Sequence, residues 1–187
     1  MKQTHLIASL SLAVAALGTA AAANASEWQV EGPTSKVGFS FNQQGTKYTG
    51  RFDTFTANID IDPADVESGS IVGTVQTDSV NTRDYDRDST LTDGDWFDSS
   101  NYPEATFEST SISADGNGGY VAQGNLTLKG TTKPATMNFT FEPGDASAQF
   151  AATMQINRFD FNVGAGWNDT SWVGQDVEVD IELDLSL

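Results

Sequence analysis

Hydrophobic and polar residues alternate along most of this chain with a period of two, the spacing of strands that bury one face and wet the other. Val37, Phe39 and Phe41 share a face while Ser40 and Asn42 point away, which predicts a first strand over 35–42. Gly45 supplies a turn. The second strand is predicted over 47–61, with Phe55, Ala57, Ile59 and Ile61 opposed by Thr56, Asn58 and Asp60. Phe52 is out of phase with Phe55, so a bulge is expected near Asp53. Asp62-Pro63-Ala64-Asp65 is turn chemistry, and a third strand follows with Ile71, Gly73, Val75 and Thr77 on one side. Over 81–102 the alternation stops. Asp, Thr and Ser surround the pair Trp96-Phe97 there, predicting a long connection with a short helical turn, and long connections in compact domains often carry function.

Alternation resumes over 104–112, where Ala105 and Phe107 oppose Glu108, and Asp115-Gly116-Asn117-Gly118-Gly119 is a strong hairpin signal. Tyr120, Ala122, Gly124, Leu126 and Leu128 form the inner face of a fifth strand. The segment from Lys129 to Pro134 turns the chain into a sixth with Met137, Phe139 and Phe141 inward, and a seventh uses Ala148, Phe150, Ala152, Met154 and Ile156. After a Gly- and Trp-containing loop over 157–175, the last strand sets Val177, Val179, Ile181, Leu183, Leu185 and Leu187 against Glu178, Asp180, Glu182 and Asp184. Eight strands with hairpin-like links fit an antiparallel barrel or a sandwich, and periodicity does not choose between them.

The N-terminus reads differently. One lysine precedes a run of Leu, Ala, Ile and Val that ends in Ala23-Asn24-Ala25, the small-x-small form of a signal-peptidase site. A cleavable signal peptide over 1–25 is expected, leaving one exported, periplasmic domain over 26–187. The 187-residue chain has no cysteine, and its single histidine, His5, lies in that leader. The common nucleophile, base and zinc-ligand constellations therefore cannot be built in the mature protein. The formal charge is -17, and removing Lys2 makes it -17 minus 1, or -18, which opposes nucleic acid and anionic membrane surfaces.

Small residues recur on the apolar face: Ala57, Gly73, Ala105, Ala122, Gly124, Ala148 and Ala152. In an eight-stranded barrel they either leave room for a ligand or fit a tapering solid core. Asp84-Tyr85-Asp86-Arg87-Asp88-Ser89 opens like a calcium loop, but Ser89 replaces the turning glycine and Arg83 and Arg87 bring positive charge, so solvated acids paired with arginines are expected, without metal. An acid/base enzyme using loop carboxylates over 84–98 is an alternative function, and a solid-core structural or stress-response barrel with a protein partner is another. The loop aromatics Trp96, Phe97, Trp167 and Trp172 either plug a barrel end or form a ligand mouth.

An ordered set of motifs spans the mature chain: Thr34-Ser35-x-Val37-x-Phe39, Gly50-Arg51-Phe52-x-x-Phe55, Arg87-Asp88-x-x-Leu91, Trp96-Phe97-Asp98 leading to Tyr102-Pro103 and Phe107-x-Ser109, Gly124 to Gly130 with Thr132-Lys133-Pro134, and Asn157-Arg158-x-Asp160-Phe161. Together they resemble the YceI-like polyisoprenoid-binding family. The resemblance implies an all-β, lipocalin-like, extended eight-stranded antiparallel barrel, with the long connection and short helix between the third and fourth strands. It implies no catalysis and a lumen that takes an isoprenoid or similar aliphatic chain. Strand phase then places Phe39, Phe41, Phe55, Ile59, Ile71, Val75, Phe107, Leu126, Leu128, Met137, Phe139, Phe150 and Met154 around that chain. Trp96, Phe97, Arg87, Arg158, Trp167 and Trp172 are the candidates for mouth or head-group contacts. Many relatives carry a histidine shortly after the first strand, where this chain has Asn42-Gln43-Gln44-Gly45, so no role of that histidine carries over. Trp96 with Gly164-Ala165-Gly166-Trp167 is similar to relatives found near cytochrome b561-type membrane proteins, which implies quinone work and a partner of that type, with the protein a monomer or homodimer. No basic cluster for a pyrophosphate is evident in so acidic a chain, and a neutral quinone-like head is the expectation.

Overall fold

A computed structural model describes residues 27–187, so the signal peptide expected over 1–25 lies outside the described residues. Ten strands follow in chain order: β1 (Glu27–Gln43), β2 (Thr46–Phe52), β3 (Phe55–Asp62), β4 (Asp65–Gln76), β5 (Val80–Asn81), β6 (Glu104–Ala114), β7 (Tyr120–Leu128), β8 (Thr131–Pro143), β9 (Ser147–Asn157) and β10 (Val173–Ser186). One helix, α1 (Tyr85–Thr92), lies between β5 and β6. The sheet runs β10-β9-β8-β7-β6-β4-β3-β1 and closes where β10 pairs with β1, all antiparallel. The result is an eight-stranded barrel, with β2 and β5 as a flap attached to the C-terminal half of β1.

The first strand is longer than its alternation predicts, because β1 serves two neighbours in succession. Trp28 pairs with Ile59 of β3, and Val37 to Gln43 pair with β2. Between these halves Gly32-Pro33-Thr34-Ser35 bulges, so that Glu31 faces Asp184 while Lys36 faces Glu182. Polar side chains fasten the bulge: Ser35 Oγ accepts from Asp184 N at 3.0 Å, and the Thr34 hydroxyl donates to the Asp184 carboxylate. The Thr34 hydroxyl first, and next the Gln149 side-chain amide, which donates to Asp184 Oδ1 at 2.6 Å, hold the Asp184 carboxyl below its ordinary pKa.

The expected bulge near Asp53 is a full break that divides the predicted second strand into β2 and β3. Asp53 N donates to Ser79 O at 3.0 Å and Thr54 N to Ser79 Oγ at 3.0 Å, so the backbone groups freed by the break are taken up by the tight turn Thr77–Ser79. Asp53 itself accepts from Asn81 Nδ2 at 2.7 Å and from Arg51 Nε at 2.6 Å, and these bonds lower its pKa. The hairpin turns follow sequence chemistry. Gln44-Gly45 and Lys129-Gly130 both hold two consecutive positive φ values, as a two-residue turn matching strand twist requires.

The two ends of the barrel differ. At the end holding the start of β1 and β9 and the close of β8 and β10, aromatic side chains fill the cross-section. Trp28 meets Phe141 edge-on at 5.5 Å and donates its indole N–H to Ile61 O at 3.0 Å. Tyr120, Phe139 and Phe150 stack in series at 5.3 and 5.2 Å. This end is a floor. The opposite end is covered by α1, the segment over 93–103 and the loop over 158–172, and it is the mouth.

Candidate functional site

Between floor and mouth the barrel encloses a cavity of about 480 Å³ with an overwhelmingly apolar wall. Phe39, Phe41, Ile59, Ile71, Val75, Phe107, Leu126, Leu128, Met137, Phe150 and Met154 border it, as do Trp96, Phe97, Arg87, Arg158 and Trp167. Three expected residues do not. Phe55 is the first residue after the break at Asp53–Thr54 and packs half-buried against the core without reaching the lumen. Phe139 points inward but at the depth of the floor, stacked between Tyr120 and Phe150. Trp172 projects its indole into solvent, 54% exposed, while its carbonyl accepts from Gln44 N at 2.9 Å. Strand phase assigns a face; it carries no information about depth along the barrel.

Alternation also marks as inward Val37, Ala57, Gly73 and Ala105, together with Ile156, Val177, Val179, Ile181 and Leu183 of the last two strands, and all of them line the cavity. Leu91 from α1 and Val163 from the mouth loop line it too, and no periodic signal in those irregular segments announces them. The recurrent small residues divide into two groups. Ala57, Gly73 and Ala105 border the cavity, and nothing lies within 4 Å of where a Cβ would stand on Gly73. Gly124 does the opposite job: a Cβ there would stand 2.7 Å from Phe107 Cε2, because the phenyl ring occupies the space the glycine leaves. Ala122, Ala148 and Ala152 are likewise packed into the core. The barrel is both container and solid, in different parts of its length.

The wall changes character with height. Near the mouth, Phe41, Phe39, Phe52 and Phe97 follow one another at 6.1, 5.5 and 5.8 Å between ring centres, and Tyr48 adds to the series beside Phe41 at 6.0 Å. Toward the floor, Ile59, Ile71, Met137 and Leu183 give an aliphatic surface. The planar groups thus surround the opening, and the flexible ones surround the depth.

Arg158 organises the mouth. It is 3% exposed, and each of its five N–H groups meets a backbone carbonyl: Nε on Gly174, Nη1 on Val163 and Gly164, Nη2 on Trp167 and Val173, at 2.6 to 3.0 Å. That exhausts the donors of a guanidinium, so none remains for a ligand head. Burial pushes its pKa below the usual arginine value, while the carbonyl dipoles around it stabilise the cation. Trp96 lies over it at 5.5 Å from the ring centre and Phe159 at 4.0 Å. Gly164 permits this packing, since a Cβ there would stand 2.9 Å from Trp96 Cζ3 and 2.8 Å from Arg158 Nη1. The Trp96 indole N–H is buried without an acceptor among the described residues.

Arg87 is the mouth cation with donors to spare. Its guanidinium stacks on Tyr48 at 4.5 Å, Nη1 donates to Thr82 Oγ1 at 3.2 Å, and Nη2 lies 3.5 Å from Asp84. The calcium-like run around it is a helix start. Asp84 Oδ1 caps α1 by accepting from Arg87 N at 3.0 Å, and Asp88 Oδ1 accepts from Thr82 N and Oγ1 at 2.7 and 2.5 Å. Asp84, Asp86, Asp93 and Asp95 are exposed, and the half-buried Asp98 accepts from Asn101 at 2.9 Å. No three acidic side chains converge on one point among the described residues.

This barrel has known counterparts. A UPF0312 protein of Vibrio cholerae is 34% identical over 172 residues, covering 87% of this chain and 89% of its own. The crystal structure of BcnA from Burkholderia cenocepacia superposes with a TM-score of 0.79 at 33% identity, covering 83% of this chain and 98% of BcnA. A polyisoprenoid binding domain from Saccharophagus degradans implicated in plant cell wall breakdown shares the fold with a TM-score of 0.63 at 19% identity, over 85% of this chain and 97% of that one. The YceI-like domain family model matches residues 28–185, from the tryptophan at the floor to a buried leucine near the end of the last strand. The chain belongs to the YceI-like family.

Proposed function

We propose that this protein is a periplasmic carrier that holds the aliphatic chain of an isoprenoid lipid in its barrel, with no catalysis of its own. The observation that carries the reading is the cavity: about 480 Å³ lined almost wholly by apolar side chains and opening at one end. An apolar chain moved from water into such a wall gains about 0.8 kcal/mol per CH₂, so binding needs no polar contact along the chain. The polyisoprenoid binding domain of the same fold agrees with this chemistry.

The mouth favours a neutral, planar head such as a quinone ring. Asp84 and Asp86 border the opening, the whole chain carries -17, and Arg158 has no free donor, all of which work against a pyrophosphate. The aromatic series from Phe41 to Phe97 offers ring faces, and Arg87 offers N–H groups for a carbonyl oxygen. A carrier of this kind exchanges its load with a membrane protein, for which a cytochrome b561-type quinone enzyme is the proposed partner, and it works as a monomer or homodimer.

The test is organic extraction of the protein purified from its periplasm, followed by mass spectrometry. The expected result is a prenylated quinone in stoichiometric amount. A stoichiometric prenyl pyrophosphate would refute the head-group assignment, and no lipid at all would refute the carrier.

A further inference from the structure

The cavity is blind. Its lower wall is Phe150 and Met137, and four further rings that do not border it pack behind them: Phe139 stacks between Tyr120 and Phe150, and Trp28 meets Phe141, the cross-strand partner of Phe150, edge-on. Trp28, Phe150 and Met137 are each at most 2% exposed, and the hydrogen bond from Trp28 to Ile61 O fixes the largest of the plugging rings. Ala122, the cross-strand partner of Met137, is at 0% exposure, so no water-sized space adjoins it. A chain entering tail-first from the mouth therefore meets a packed layer before the barrel ends.

The volume above that layer sets a length. A cavity of 150 Å³ takes one benzene ring of six carbons, so about 480 Å³ takes on the order of 20 carbons, or about four isoprene units. We infer that the aromatic floor is a stop that matches this protein to chains of about four isoprene units, and that longer chains leave their excess outside the mouth. This rests on the carrier reading of the same cavity. It makes the floor residues determinants of chain length, and Phe150, whose ring is both cavity wall and uppermost floor ring, the pivotal one.

The experiment is competition for prenyl alcohols of two, three, four, six and nine isoprene units between the lipid-stripped protein and phosphatidylcholine vesicles. Every added unit gains burial in the vesicle at any length, but gains burial in the protein only while it fits above the floor. The fraction retained by protein is expected to hold level to four units and then fall at least tenfold per unit. Phe150→Ala should move that fall to longer chains. Gly73→Leu, which leaves the floor untouched, should move it about one unit shorter and keeps the test decisive if the first variant does not fold. Retention that stays level to nine units overturns the stop while leaving the carrier intact. Retention of no chain at any length overturns the carrier reading, and the stop with it.

Discussion

Gly73 offers a direct probe of whether the lumen is a binding site. It sits on β4 between Ala57 and Phe107 of the neighbouring strands, and no atom lies within 4 Å of the position its Cβ would take. Its Cβ meets nothing and the residue borders the cavity, so a leucine there adds four carbons on the cavity side of the wall. Those four carbons occupy space that four ligand carbons would otherwise fill, and at about 0.8 kcal/mol per buried CH₂ the affinity for a chain that fills the lumen falls by about 3 kcal/mol, roughly two powers of ten. Stability should move the other way by about 0.5–1 kcal/mol, because glycine is a poor strand residue and the new side chain is apolar and sheltered. Dissociation constants for a four-unit prenyl alcohol, read by intrinsic tryptophan fluorescence, together with a urea titration, give both numbers. A Gly73→Leu protein that is as stable as wild type and binds as tightly would refute the assignment of this cavity to the ligand.

Gly124→Leu, on the same family of inward positions, should behave oppositely, since its Cβ meets the Phe107 ring; overpacking costs about 1–3 kcal/mol, visible as a lower urea midpoint before any ligand is added. Arg158→Lys replaces five donors by three and leaves at least two mouth carbonyls unpaired, which should cost about 3 kcal/mol and speed amide exchange over 163–174 in mass-spectrometric hydrogen exchange. Asp53 has a depressed folded pKa, first from Asn81 and then Arg51, so its contribution is present above its unfolded value and lost as pH falls through the lower folded one. The carboxylate is substantially exposed, which limits the effect to under about 1 kcal/mol after screening. Asp53→Asn should therefore be slightly less stable than wild type at pH 7, and the gap should close in urea titrations below about pH 4; a constant gap across that range would show that the ionised form is not what the bonds favour.

Face assignment was legible in the sequence because it is a local property. Each of Ile59, Leu126, Met137 and Met154 is placed inward by its neighbours' polarity alone, and each borders the cavity. Depth is a tertiary property. Phe139 and Met137 are equally inward on β8, yet one is floor and the other wall, because register against β7 and β9 decides how far along the barrel each lies. The break at Asp53–Thr54 shows an intermediate case: the phase slip between Phe52 and Phe55 marks its position, but the group that replaces the lost pairing, Ser79, is about 25 residues away and carries no signal of its own. The mouth was least legible. A side chain such as Arg158 reads in sequence as a free cation beside a ligand, and only the folded loop reveals that five carbonyls have taken every donor it has.

That use of Arg158 explains how an acidic barrel can keep an open apolar end in water. A loop spanning the mouth must satisfy its carbonyls without a ladder partner, and water would do so only by entering the lumen. A guanidinium at the centre of the loop satisfies five at once while its faces pack against Trp96 and Phe159, so polar satisfaction and dryness come from one side chain. A carboxylate partner would neutralise the cation but would take donors from the carbonyls and reopen the same deficit. The carbonyl dipoles instead share the charge, so the loop holds its shape with every Arg158 donor already taken, and this buried cation does not compete for what enters the lumen.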